Sequence, residues 1–222
     1  LQYNTTCPFV ERVWNRSEQI GQHGYTIILH GKPGHEETRA TFSHSRSHSP
    51  TLVIRDMEQA RQLCRYINEE EVEVEFYDYF RGQYSEGFDP ARDLQRLGVV
   101  NQTTMLATDT QEIADVLRQT LVQRYPAEPE RFADTRDTLC YATNDNQSAV
   151  RAMLEQEADL ALVVGGYNSS NTSHLVELCM EKMPTYFIEH ADCLEADGGI
   201  HYFDFHNHQH KHLDSFLPSK RP

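Results

Sequence analysis

No apolar run in these 222 residues approaches the ~20 that a membrane-crossing helix needs, so no membrane role is expected. Basic side chains are also scarce: 20 Lys and Arg stand against 34 Asp and Glu, a net charge of −14. Such a balance repels a phosphate backbone and argues against nucleic acid as a partner. Only five cysteines occur (Cys7, Cys64, Cys140, Cys179, Cys193), and they form no tight framework. An odd, widely spaced set suits a reducing compartment. No signal-peptide pattern opens the chain, and the cytoplasm is the expected location.

What is present is an alternation of short apolar strands and amphipathic helices. Pro8 suits a first helical turn, Phe9, Val10, Val13 and Trp14 share one face, and Gly24 ends that helix. Strands are expected over 25–29, 51–54, 97–100 and 185–188, with helices over 57–67, 109–124 and 145–156 and from about 172 to 183. The run Leu160-Ala161-Leu162-Val163-Val164 is continuously apolar, as in a strand buried on both faces of a parallel sheet. Residues 69–75 read as a solvated connection, and the aromatic stretch 76–84 reads as helical core packing. The segment 206–212 (HNHQHKH), after Gly198-Gly199, reads as an irregular tail. The pattern implies an α/β fold with parallel sheets and helices on their faces, divided near Arg136 into 1–136 and 137–222.

In such sheets ligands gather outside the C-terminal strand ends. Those ends carry Cys7, His35 and Glu37, Gln102-Thr103-Thr104, Cys140, and Ser169-Ser170-Asn171. The last group lies between a strand and a helix N-terminus, where unpaired amides and the helix dipole favour a phosphate or diphosphate. A plain hydrogen-bonded turn is the competing reading there. His35 and Glu37 are two apart and can face one cavity, an imidazolium holding an anion beside a carboxyl that supplies a proton. Cys7 and Cys140 lack the close partners of a structural zinc site. An iron–sulfur cluster is the alternative, although it normally takes three or four cysteines. Cys64 and Cys179 fall in helical apolar patterns and read as core, and Cys193 gives no clear signal. The alternating tail histidines (His206, His208, His210, His212) offer metal ligands, with an edge insertion the competing reading.

Taken in order, NTTCPFVERVW, ILHGKPGHEET, NQTTML, DTLCYATNDNQ and VVGGYNSSNTSHLVEL resemble the motifs of the IspH/LytB family of 4-hydroxy-3-methylbut-2-enyl diphosphate reductases. The HGK-x-x-HEET form and an insertion at about 69–96, ending in SEGFDP, are similar to the family's plant and cyanobacterial branch. The resemblance implies a trefoil of three α/β domains around a 4Fe-4S cluster held by one cysteine per domain, with the fourth iron open to the substrate hydroxyl. It also implies a cytoplasmic or plastid location and a ferredoxin- or flavodoxin-type electron donor. The implied reaction takes an allylic diphosphate to isopentenyl and dimethylallyl diphosphates, losing a hydroxyl as water.

Residue by residue, Cys7 and Cys140 match cluster ligands, and His35 matches a diphosphate-binding histidine. Glu37, not Glu36, matches the proton-relay carboxylate, with Thr103 near the substrate hydroxyl and Gln102 beside it. Ser169, Ser170 and Asn171 match the diphosphate loop. The family's first domain would precede Leu1, and a serine-containing loop would follow Pro222. The chain therefore reads as the second domain and most of the third, with the activity belonging to the full-length protein. A non-redox diphosphate-binding α/β module keeps the Ser-Ser-Asn loop but leaves the two strand-end cysteines unexplained. A zinc-binding or interaction protein would use Cys7, Cys140 and the tail histidines instead.

Overall fold

The strands of the first half are short and wholly buried because both of their faces are covered. In the computed structural model, which describes residues 6–70, 73–133 and 140–217, the elements run α1 (Pro8–Gln22), β1 (Thr26–His30), α2 (Glu36–Ser45), β2 (Thr51–Ile54), α3 (Met57–Ile67), α4 (Glu73–Tyr79), α5 (Pro90–Asp93), β3 (Leu97–Asn101) and α6 (Ala107–Arg124). The sheet is parallel in the order β2-β1-β3, with every strand residue buried. Side chains alternate across it. Ile27, Leu29, Val53 and Val100 pack with Val13 and Ile20 of α1, while Ile28, Leu52, Ile54 and Val99 pack with Leu63 of α3 and with Ile113 and Leu117 of α6. Trp14 Nε1–H donates to the Thr41 hydroxyl at 3.1 Å and ties α1 to α2.

The acidic stretch expected to be a bare connection already contains the start of α4. Phe76 and Phe80 are fully buried and Phe88 nearly so, with Phe76 stacked on Phe88 at 5.5 Å and 5°. These rings supply the apolar anchor that the charges around them conceal. Beyond α4 the chain lies along β2: Val53 N–H donates to the Gln83 carbonyl and Ser85 N–H to that of Thr51, which covers the sheet edge.

The chain divides into two units, 1–140 and 141–222. The expected boundary at Arg136, and the strand end expected at Thr138 and Leu139, lie outside the described residues. The second unit holds α7 (Tyr141–Met153), β4 (Ala161–Val164), α8 (Ser170–Met180), β5 (Thr185–Ile188), β6 (Ile200–Asp204) and β7 (Gln209–Leu213). Its sheet has the order β4-β5-β6-β7; β4 and β5 are parallel, and β6 and β7 are antiparallel additions.

Two expectations fail here for identifiable reasons. First, β4 is not buried on both faces, since Leu162 is 38% and Val164 59% exposed. Among the described residues it is an edge strand, and the two residues share the face away from the buried Ala161. Second, the tail is not irregular but forms the β6–β7 hairpin. Asp204 nucleates its turn: Oδ1 accepts from the N–H groups of His206 and Asn207, both at 3.0 Å, and the carboxylate pairs with Lys211. The Lys211 ammonium, first, and Asn207 hold the Asp204 carboxyl far below the usual carboxylate range. His208 adopts the left-handed conformation (φ 51°) that closes the turn. No helix among the described residues is long and apolar enough to cross a membrane.

Candidate active site at the strand ends

Four of the residues expected to carry chemistry sit immediately before a helix. Cys7 is the N-cap of α1, His35 of α2 and Ser169 of α8, and Cys140 directly precedes α7. Helix N-termini expose amide donors and the positive end of the dipole, so each position favours an anion.

The carboxylate expected to supply a proton lies in the first unit. Glu37, in the first turn of α2, receives two hydrogen bonds from Thr103 in the loop after β3. The backbone N–H reaches Oε1 at 2.5 Å and the hydroxyl reaches Oε2 at 2.9 Å. Glu37 is half-buried and Thr103 is buried. Glu36, by contrast, is 92% exposed and makes only a long ion pair with Arg39, at 3.7 Å. His35 Nδ1 accepts from the Glu37 N–H at 3.2 Å. Its lone pair is thereby engaged, which leaves the ring proton on Nε2 available to an outside acceptor.

Gln102 was expected beside the substrate, but its side chain is fully buried and holds the two loops together. Oε1 accepts from Lys32 N–H at 3.1 Å and from the Thr38 hydroxyl at 2.9 Å, while Nε2–H donates to Thr104 Oγ1 at 2.6 Å. Gly31 makes this convergence possible, since a Cβ there would lie 2.6 Å from Thr38 Oγ1 and 3.0 Å from Gln102 Cβ. A second clamp, absent from the sequence reasoning, joins β1 to α6. His30 Nδ1–H donates to the Thr110 hydroxyl at 2.8 Å, and that hydroxyl donates to the Leu106 carbonyl at 3.1 Å. Histidine at a buried strand end is the only signal in the sequence that could have suggested it.

In the second unit Ser169 Oγ accepts from Thr172 N–H at 3.2 Å and from the Thr172 hydroxyl at 3.0 Å, so α8 begins at Ser170, two residues earlier than expected. Its own hydroxyl proton stays available. Gly165 lets the loop close on this turn, because a Cβ there would stand 2.8 Å from Thr172. Asn171 Oδ1 is buried without a hydrogen-bond partner. So is Nε2 of His174, one turn further on, whose Nδ1 meets Glu177 Oε2 at 2.5 Å. His174 was not singled out by the sequence. Among the described residues these two atoms on one helix face have no hydrogen-bond partner, and a buried polar group left unpaired is costly.

The thiols divide as their contexts suggest. Cys7 is exposed and Cys140 buried, and both are free. Cys7 makes no side-chain cap on α1, and the donor chemistry of the two thiols fits two of the ligands of an iron–sulfur cluster. Cys64 packs against the core and Cys179 lies within it; burial pushes both thiols up.

A family profile described as LytB protein matches residues 1–208. A 4-hydroxy-3-methylbut-2-enyl diphosphate reductase of Gloeobacter violaceus is 40% identical over 220 residues, which is 97% of this chain and 52% of that protein. The enzyme of the same name from Picosynechococcus is 42% identical over 98% of this chain and 52% of its own length. A chloroplastic relative from Botryococcus braunii is 40% identical over 86% of this chain and 39% of its own. Among solved structures, the E-1-hydroxy-2-methyl-but-2-enyl-4-diphosphate reductase of Plasmodium falciparum superposes with a TM-score of 0.59. It is 23% identical and covers 86% of this chain and 49% of that one, a likeness of fold. The chain thus spans about half the length of the curated relatives it matches. With its profile match running through both α/β units, the chain belongs to the LytB family.

Proposed function

We propose that this chain supplies the proton-delivery and anion-binding residues of a reductase that converts 4-hydroxy-3-methylbut-2-enyl diphosphate to isopentenyl and dimethylallyl diphosphates. The reaction takes up two electrons and two protons and releases the hydroxyl as water. The observation that carries this reading is the pairing of Glu37 with both donors of Thr103. Because the Thr103 N–H fixes Oε1 as an acceptor, a proton on Glu37 resides on Oε2. The Thr103 hydroxyl then accepts from Oε2 and turns its own proton outward, toward the departing oxygen. Thr103 both orients the acid and relays from it.

The remaining residues hold the anion and the cofactor. In the first unit His35 Nε2–H at the α2 N-terminus, and in the second the Ser169 hydroxyl and the Asn171 amide at the α8 N-terminus, each offer donors suited to a diphosphate. Ser170, the first residue of α8, belongs to the same helix N-terminus, while Gln102 acts as a positioning residue. Cys7 and Cys140 would ligate a 4Fe-4S cluster, which supplies the two electrons and a Lewis-acidic iron for the substrate hydroxyl. The electrons come from a small carrier of ferredoxin or flavodoxin type, and the location is cytoplasm or plastid. We assign the activity to the full-length protein rather than to this chain alone.

Iron and acid-labile sulfide analysis of the anaerobically purified full-length protein tests the reading against its competitors. Iron and sulfide are expected together, and each should fall sharply in Cys7→Ser and Cys140→Ser. Zinc without sulfide would replace the reductase by a zinc protein. Neither metal, with diphosphate binding retained, would leave a non-redox binding module.

A further inference from the structure

The β6–β7 hairpin brings His212, one of the alternating tail histidines, together with His201 and Glu195, which have no role assigned above. His201 and His212 are direct cross-strand partners, with ring centroids 4.5 Å apart. Both turn Nε2 toward one carboxylate: His201 lies 2.8 Å from Glu195 Oε1 and His212 lies 3.2 Å from Glu195 Oε2. The donor atoms of the three residues all fall within 4.8 Å of one another. From these residues and distances we propose a divalent transition-metal site, with zinc as its natural occupant, formed by Glu195, His201 and His212.

Ligand chemistry and spacing both fit. Zinc takes imidazole nitrogen and carboxylate oxygen at about 2.0–2.2 Å in a tetrahedron, so neighbouring ligand atoms stand about 3.3 Å apart. The two nitrogen–oxygen separations, 2.8 and 3.2 Å, both fall just below that value. All three side chains reach solvent, so small rotations bring the nitrogens to the same spacing, and the open side leaves a position for water. A carboxylate also stands behind one ligand, with Asp214 Oδ1 at 3.7 Å from His212 Nδ1, where it would orient the imidazole of a metal-bound histidine.

The site is also built by the backbone. Glu195 N–H donates to the Gly199 carbonyl and Gly198 N–H donates to the Glu195 carbonyl, in a turn that folds Glu195 back beside His201. A Cβ at residue 199 would come within 2.1 Å of Glu195 Oε2, so glycine there leaves the carboxylate its present place beside the two histidines. An ion here would pin the 195–199 turn to both strands of the hairpin. The alternating His206, His208 and His210, which stand out in the sequence, are not among these ligands.

Zinc titration of the chain against a chromophoric chelator tests the proposal, with circular dichroism confirming that each variant is folded. One equivalent should bind saturably, and Glu195→Gln and the His201→Ala/His212→Ala pair should each weaken it by about tenfold or more. The His206→Asn/His208→Asn pair should leave that affinity unchanged. Glu195→Gln preserves shape at an accessible position, so its result stands even if the double-histidine variant unfolds. The proposal is overturned if no saturable equivalent binds, if Glu195→Gln binds as the parent does, or if the His206/His208 pair weakens binding as much as the ligand variants.

Discussion

Replacing Glu37 by glutamine in the full-length protein is expected to slow turnover by about 10²–10⁴-fold, the range typical of general acid catalysis. The amide oxygen still accepts from Thr103 N–H and the substitution is nearly isosteric, so stability and diphosphate affinity should change little. What is lost is the ability to deliver a proton. Glu36→Gln is the matched control, because Glu36 is 92% exposed and contacts only Arg39. Exposed pairs of that kind contribute little, and this variant should retain parental turnover. Steady-state kinetics on the two variants decides the matter. Equal losses, or a larger loss at Glu36, would show that the acid lies elsewhere in the loop.

Gln102→Ala is expected to act through stability instead. Truncation leaves Lys32 N–H and the Thr38 hydroxyl without their acceptor and removes the donor to Thr104. Each buried group left unpaired costs roughly 1–3 kcal/mol, so the loss should be about 3 kcal/mol or more. The Cβ that faces Gly31 survives in alanine, so the effect isolates the amide. Urea denaturation should show a lower midpoint with an unchanged slope. An undiminished midpoint together with a raised KM would instead make Gln102 a direct substrate contact.

The contrast between Glu37 and Gln102 shows what a sequence can and cannot disclose. Both stand in conspicuous motifs, and both were expected to face the substrate. What holds each side chain in place lies 64 to 70 residues away, Thr38 and Lys32 for Gln102 and Thr103 for Glu37. No local pattern encodes those pairings. The same holds for His30 and Thr110, 80 residues apart.

The elements divide along similar lines. β2, β5 and α3 fall where their apolar patterns place them, because there both periodicity and flanking turn residues point the same way. The apolar run of β4 misleads, since a run of that kind cannot reveal that its strand lies at a sheet edge with one face uncovered. The hairpin was concealed by histidines with low apparent strand character; what forms it is the Asp204 turn and the pairing of Phe203 with His210. α4 was concealed by the charges that surround Phe76.

The most direct test of the whole account is product analysis. The full-length protein, kept anaerobic and supplied with a strong one-electron reductant, is incubated with 4-hydroxy-3-methylbut-2-enyl diphosphate. Isopentenyl and dimethylallyl diphosphates are the expected products, both lacking the hydroxyl and both retaining the diphosphate. An iron- and sulfide-loaded protein that binds this substrate and returns it unchanged under those conditions would contradict the account.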